Sequence, residues 1–435
     1  MRPSAEDESA EPLSRRARAA RVARRVVLDL SPLRESREFR LLWFGEVVSH
    51  TGRHVTVVAL AYQVWELTHS TLAVGLIGLV QLVPLMIGSL VGGALADAMD
   101  RRRLLLLTQS ALVLTGLLFV WGAAIGDPPL AFLYVVAAVN AGLTAVDAPA
   151  RTSAIPGLVG KRNLASAMAL NQLLFQVSDV AGPALAGFLI ARFGLVVAYG
   201  ADVASFLVAI GTLLAMRPMP PRRAEGEAVP RGLGAIRDGF RYLKGRPVLQ
   251  STFTADLIAM VFGMPRALFP VLADEVFHVG PQGLGLMFAA PAAGALLAAL
   301  FTGWVRHVRH QGRAVLWAIA VWGLAIVGFG LTTEAFWLAL VFLAIAGGAD
   351  VISAIFRGTI LQETVPDSLR GRLSSIHFMV VVGGPRLGDV EAGVVAFLVT
   401  PTFSVISGGV ACVAGVALLG ALVPQFRRYH AGDPA

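Results

Sequence analysis

The stretch GGALADAMDRRRLLLL at 92–107 closes a long apolar run with two carboxylates, Asp97 and Asp100. It then sets three arginines in a row, Arg101 to Arg103, before apolar sequence resumes. Charge this concentrated between two apolar runs has the form of a short turn at a membrane face. The rest of the chain is built the same way. Of 435 residues, 56% are hydrophobic and 15% charged, with a mean hydropathy of +0.70. A soluble protein of this size needs more polar surface than that to cover itself. Twelve apolar runs, each near the ~20 residues that cross a bilayer core, fall at 41–66, 72–97, 104–125, 129–150, 164–191, 195–216, 249–274, 283–305, 314–332, 335–357, 373–396 and 401–424. Helices satisfy their own backbone hydrogen bonds in lipid, and no run alternates as a barrel strand does. The predicted fold class is an all-α polytopic membrane protein with twelve transmembrane helices.

The net charge of +8 is distributed by side. Basic clusters occur in the N-terminal tail, at Arg101–Arg103, at Lys161 and Arg162, at Arg222 and Arg223, at Arg306, Arg309 and Arg313, at Arg370 and Arg372, and at Arg427 and Arg428. All fall on one face if the N-terminus is cytoplasmic, while the opposite connections hold one Lys or Arg, Arg192. That asymmetry predicts both termini in the cytoplasm and argues against a nucleic-acid partner. Membrane lipid is the expected contact of the basic tail. No signal peptide is apparent. The one cysteine, Cys412, lies inside the last apolar run, so no disulfide is expected. No metal site, cofactor or catalytic residue set is expected either.

Sliding the chain by 210 residues places Glu46 on Asp256, Gly93 on Gly303, Arg103 on Arg313, Asn140 on Asp350, Pro156 on Pro366, Arg162 on Arg372 and Asp179 on Asp389. Acids inside apolar runs are rare, so two acid pairs and one Asn–Asp pair in one register point to a duplicated unit. Two like-oriented six-helix bundles follow, at 39–218 and 249–428. They are joined by a polar cytoplasmic linker at 219–248 and flanked by tails at 1–38 and 429–435. This plan belongs to secondary transporters that bind cargo between their halves near the midplane.

The opening stretch resembles the loop between helices 2 and 3 of major facilitator superfamily transporters, Gly-x-Leu-x-Asp-Arg-x-Gly-Arg-Arg. Gly93, Leu95, Asp97, Arg101 and Arg102 match it, while Ala98 and Asp100 depart from it. The segments FRLLWFGEVVS at 39–49, PARTSAIPGLVGKRNLASAMALNQ at 149–172 and LQETVPDSLRGRLSS at 361–375 are similar to the drug- and siderophore-exporting branch. The resemblance implies that Gly93, Asp97, Arg101 and Arg102 form a conformational latch, with Asp97 meeting the start of helix 11 near Leu373. A carboxylate there faces the positive end of a helix dipole.

Charges at bilayer depth should face the bundle interior and find partners. Glu46, His50, Arg53 and His54 stand on one stripe of helix 1, spanning ~12 Å at the helical rise. Glu46, His50, Asp179, Asp256 and Asp389 are the proton-coupling candidates, since burial can raise a carboxylate to where it takes up a proton and imidazole titrates near neutrality. The register sets Asp147 against Arg357, opposite charges in equivalent places, as a second gate pair. Arg53, Asn140, Gln172, Gln176 and Asp350 are the substrate-cavity candidates. Gly182 with Pro183, and Gly384 with Pro385, are candidate helix hinges. Of the aromatic residues Trp43, Phe44, Trp65, Phe262, Phe288, Trp317 and Trp322, none is singled out as a cargo contact.

The expected function is a secondary active exporter, a monomer of the cell inner membrane. It would move a bulky small molecule (a drug, macrolide-like compound or siderophore) outward in exchange for protons. Export and antiport come from the resemblance. Two other readings remain open at this point: a proton-independent facilitator or lysophospholipid or metabolite importer of the same fold, and a non-transporting membrane sensor or scaffold.

Overall fold

The computed structural model describes residues 29–220 and 241–430, apart from eight side chains between 367 and 378. The tail 1–28, most of the linker at 221–240 and the tail 431–435 lie outside the described residues, as does the arginine pair at 222–223.

Helix α1 is Arg37–Thr68, α2 is Thr71–Ala98 and α3 is Arg101–Ile125. An 85-residue helical stretch, Leu130–Leu214, is interrupted at Gly160 (φ 69°, ψ 173°) and Gly194 (φ 82°, ψ 175°). A side chain disfavours such dihedrals, so glycine at these two places lets the chain reverse without a loop. The breaks divide the stretch into α4 (130–159), α5 (161–193) and α6 (195–214). Then follow α7 at Pro247–Phe262, α8 at Gly280–Leu300, α9 at Gln311–Leu331, α10 at Phe336–Thr364, α11 at Asp367–Leu398 and α12 at Pro401–Leu422.

Eight described segments are long and apolar enough to cross a membrane, and one of them is the unbroken count of α4 to α6. With that segment divided, and α1 and α11 added, the described residues hold the twelve expected passes. No strand occurs among them. Side chains mark several starts: Ser36, Ser70 and Thr400 accept from the backbone N–H of Phe39, Ala73 and Phe403. Each is a polar N-cap that satisfies an orphan donor.

Helix α7 ends early. Gly263 and Pro265 break it, and the pass continues as a 3₁₀ turn at Arg266–Leu268 and further short turns to Val276. Proline removes a donor and exposes carbonyls. Here Trp322 Nε1 donates to the Gly263 carbonyl at 2.6 Å.

Small residues set the packing distances, as expected where lipid supplies no hydrophobic drive between helices. Within the first six helices, Gly88 and Gly92 of α2 lie against Gly142 and Val146 of α4. Within the last six, Gly294 of α8 and Gly347 of α10 meet backbone in the same way. Between the two sets, Gly75 of α2 abuts Asp389 and Gly393 of α11, and Gly187 of α5 abuts Gly285 of α8. Thr71 Oγ1 donates to the Gly393 carbonyl at 3.1 Å. These contacts gather at one end of the molecule, the end where α1 finishes and α2 starts.

Candidate functional site

Between the two sets of helices lies a cavity of about 500 Å³. Its wall is mostly apolar, with Val57, Leu60, Ile77, Phe269 and Phe288 among the lining residues. Its polar groups are His54, Gln81, Gln176, Asp179, Arg266, Asp350, Arg386 and Asp389. Six of the expected site residues line it: Gln176, Asp179, Asp350 and Asp389, with the hinge candidates Pro183 and Pro385. Arg53, Asn140 and Gln172, expected there, do not. Asn140 instead donates to Thr115 Oγ1 of α3 at 3.0 Å, so it ties two helices together.

Helix α1 delivers its stripe to two neighbours. One face packs on α6 because Gly45 and Gly52 leave room for Thr212, Ser205 and Asp202. The other meets α5, where Gly182 lies against His54 and the Thr51 carbonyl. His54 Nε2 therefore reaches Asp179 at 2.7 Å, and His50 Nε2 lies 3.5 Å from the same carboxylate. Arg53 contacts His50 Nδ1 at 2.8 Å. A guanidinium only donates, so that Nδ1 accepts and the ring proton sits on Nε2, directed at Asp179.

His50, His54 and Asp179 bring three ligand-type atoms within 4.8 Å of one another. Metal ligation through His50 Nε2 requires the proton on Nδ1, which Arg53 occupies, and a guanidinium beside the ring opposes a second cation. The cluster fits a hydrogen-bonded histidine–carboxylate network better than a metal centre.

Deeper in the first six helices, Asp147 is fully enclosed. It accepts from Arg151 Nε, Thr108 Oγ1 and Gln109 Nε2 at 2.5, 2.7 and 3.0 Å. Glu46, 4% exposed, lies within electrostatic reach of Arg151 and Arg53. In the last six helices Arg357 pairs with Asp256 at 2.5 Å and lies 3.7 Å from Asp350. The expected Asp147–Arg357 gate pair is not in contact in this structure: each residue binds inside its own half. Register equivalence puts the two at matching places on opposite sides of the cavity, which is not contact. What the two halves do share is an acid on the first helix facing an arginine on the fourth, the two arginines standing one turn apart in register: Glu46 toward Arg151, Asp256 with Arg357.

At the candidate hinges the chain is helical in this structure. Backbone dihedrals stay helical through 182–183, and the breaks fall at Gly160, Gly194 and Gly263–Pro265. Gly182 is a close-approach position for α1. Gly384 packs against Met260 of α7, and Pro385 lines the cavity.

In the opening stretch, Asp97 occupies the last turn of α2 and Gly93 has open space around it. Helix α11 starts at Asp367, six residues before the expected Leu373. Arg101 N–H donates to the Met219 carbonyl at 3.0 Å. Arg102 donates to the carbonyls of Leu213 and Leu214 at 2.7 and 2.9 Å, closing the end of α6. Asp100, a departure from the family pattern, is the N-cap of α3.

Sequence reasoning missed Asp202, Arg266 and Gln81. Asp202 is buried on α6 and accepts from Thr56 at 2.6 Å; an acid inside an apolar run was the available signal. Of the aromatic residues, Phe288 lines the cavity. Trp43, Trp65 and Trp322 use their indole N–H groups to tie helices together.

This is a twelve-helix transporter fold with a polar-lined cavity between its halves. The chain belongs to the MFS_3 family of transmembrane secretion effectors, within the major facilitator superfamily; the family match covers residues 28–431. It is 28% identical over 408 residues to the enterobactin exporter of Citrobacter koseri, covering 94% of this chain and 97% of that protein. The enterobactin exporter of Shigella boydii is 28% identical over 410 residues, with the same coverage. Among solved structures, the nucleoside transporter NupG aligns with a TM-score of 0.69 at 13% identity, over 90% of this chain and 98% of that one. A bacterial homologue of the iron transporter ferroportin, in an inward-facing state, aligns with a TM-score of 0.66 at 16% identity, over 90% and 98%. The protein crosses the membrane several times and is a small-molecule transporter by family.

Proposed function

We propose that this protein is a secondary active exporter that moves a bulky, partly apolar small molecule out of the cell in exchange for protons. The observation that carries the reading is the cavity itself: apolar walls drawn from both halves, with charged groups placed at a few points on them. The kinship with enterobactin exporters supports outward transport and a cargo of the siderophore, drug or macrolide-like class. The halves at 39–218 and 249–428 rock about this site, one monomer sufficing. The basic clusters support an inner-membrane protein with both termini in the cytoplasm. Asp97 in the last turn of α2 serves as the latch on the cytoplasmic side.

Proton exchange is assigned to the His54–Asp179 pair, which faces the cavity from α1 and α5. Asp389 is a second site, and Glu46 and Asp256 hold the charges behind them. A carboxylate that gives up its imidazole partner when cargo enters couples the two fluxes without a further component. The test is uptake of fluorescent candidate cargoes into inside-out vesicles under an imposed proton gradient. Gradient-driven uptake should fall at least tenfold in Asp179→Asn and His54→Gln, while exchange without a gradient persists. Uptake unaffected by collapsing the gradient would instead assign the chain as a proton-independent facilitator.

A further inference from the structure

One side chain in the cavity stands apart from the charge pairs around it. Arg266 follows the break in α7 and opens the 3₁₀ turn Arg266–Leu268. Its neighbours Met264, Ala267, Leu268 and Phe269 are all buried, at 4%, 5%, 0% and 0% exposure, whereas Arg266 is exposed, and it lines the cavity. The break thus extrudes one guanidinium from an otherwise enclosed wall.

Each carboxylate lining the cavity already has a basic neighbour other than Arg266, with Arg357 shared between Asp350 and Asp256. Asp179 has His54 at 2.7 Å, Asp350 has Arg357 at 3.7 Å and Asp389 has Arg386 at 4.0 Å. Arg266 lies within electrostatic reach of Asp350 and Asp389. Among the described residues it has no hydrogen bond to either and no ion pair within 4.0 Å. A charged group at bilayer depth is retained at a cost and marks a functional position by default. Five donors in a planar fork suit an oxyanion with two oxygens in one plane.

We infer that Arg266 is the recognition point for an oxyanion on the transported molecule, a carboxylate or a group of the same geometry. The apolar surface around Phe269 and Phe288 receives the body of that molecule. The inference rests on the transport reading only in calling the anion cargo; the binding site itself is tested without transport.

The test is calorimetric titration of the purified full-length protein in neutral detergent with 2-naphthoate and with 2-naphthamide. The two probes match in shape and differ in charge. Wild type should bind the carboxylate about tenfold more tightly, the size expected for one charged hydrogen-bonded contact. Arg266→Gln should reduce the ratio to near one and Arg266→Lys should retain part of it, with unchanged melting temperatures showing that both variants are folded. No preference for the carboxylate in wild type, or a preference that survives Arg266→Gln and is lost in Arg386→Gln, overturns the assignment. Repeating the titration in nanodiscs separates cargo from lipid. A preference present in phosphatidylcholine and abolished by phosphatidylglycerol makes Arg266 a headgroup site and overturns the cargo assignment. Vesicle flux that fails while the carboxylate preference stands sinks the exporter reading and leaves the anion site intact.

Discussion

The indole Nε1 of Trp65, at the end of α1, donates a hydrogen bond of 3.1 Å to the carboxylate of Asp274, which lies beyond the break in α7. It joins the two halves at the end where the glycine contacts between α2 and α11 and between α5 and α8 also gather. Trp65 is 2% exposed, so its N–H has no water to fall back on. Alternating access requires this bond to break whenever that end opens.

Trp65→Phe keeps an aromatic ring and removes the donor. One hydrogen bond to a charged acceptor is worth about 1.5 kcal/mol at the low end, roughly a tenfold shift in a two-state equilibrium. The expected outcome is a population shift toward the state open at this end. It is read as faster labelling of an Ile77→Cys reporter by an impermeant maleimide added from outside. Native Cys412 is buried and leaves the background low.

Close backbone approach at the same end depends on two glycines. A Cβ on Gly75 would lie 2.5 Å from the Asp389 carbonyl oxygen, and one on Gly285 would lie 2.5 Å from that of Pro183. Both obstacles are backbone and do not swing aside. Gly75→Val and Gly285→Val should therefore fold but fail to close. Transport should be lost in each, with the Ile77→Cys reporter labelled constitutively. Normal transport in either variant would mean that this contact is not part of the cycle.

Arg357 and Asp256 are 4% and 1% exposed at the side chain. Removing one member of such a pair leaves a buried charge uncompensated, at about 3–5 kcal/mol, whereas an apolar replacement of both is often neutral. Arg357→Met should lower the melting temperature in detergent well below that of wild type. The double variant Asp256→Leu with Arg357→Met should recover most of the loss. Asp350 lines the cavity and takes up water when its arginine is gone.

The segment before α1 is docked by carboxylates. Asp29 is held at about 2, below the usual 3.8, by hydrogen bonds from the Ser31 hydroxyl and N–H and from Ser166. Glu35 is lowered by Asn163 and Arg162, both at 2.8 Å. A depressed folded-state value means that docking is fully present above the unfolded values near ~4 and is lost as pH falls toward ~2. Hydrogen exchange of residues 29–38 should thus be flat from about pH 8 to 5 once corrected for intrinsic rates, and rise below about pH 4. Release between pH 8 and 6 would point to other groups.

That the chain is an all-helical bundle crossing the membrane many times follows from the sequence alone, because bilayer thickness and backbone hydrogen bonding leave a chain this apolar few alternatives. GGALADAMDRRRLLLL is the turn it suggested: Asp100 caps α3 and Arg102 closes α6. Periodicity likewise put His50 and His54 on one stripe of helix 1. Tertiary structure alone decided which neighbour each charge meets. Asp179 joins the histidines because Gly182 lets α5 approach α1, and Asp147 and Arg357 find partners inside their own halves rather than each other. Arg266 reaches the cavity only because α7 breaks at Gly263–Pro265. A helical pattern specifies the face a residue occupies; what lies across from that face is set by crossing distances, breaks and small residues far away in the chain.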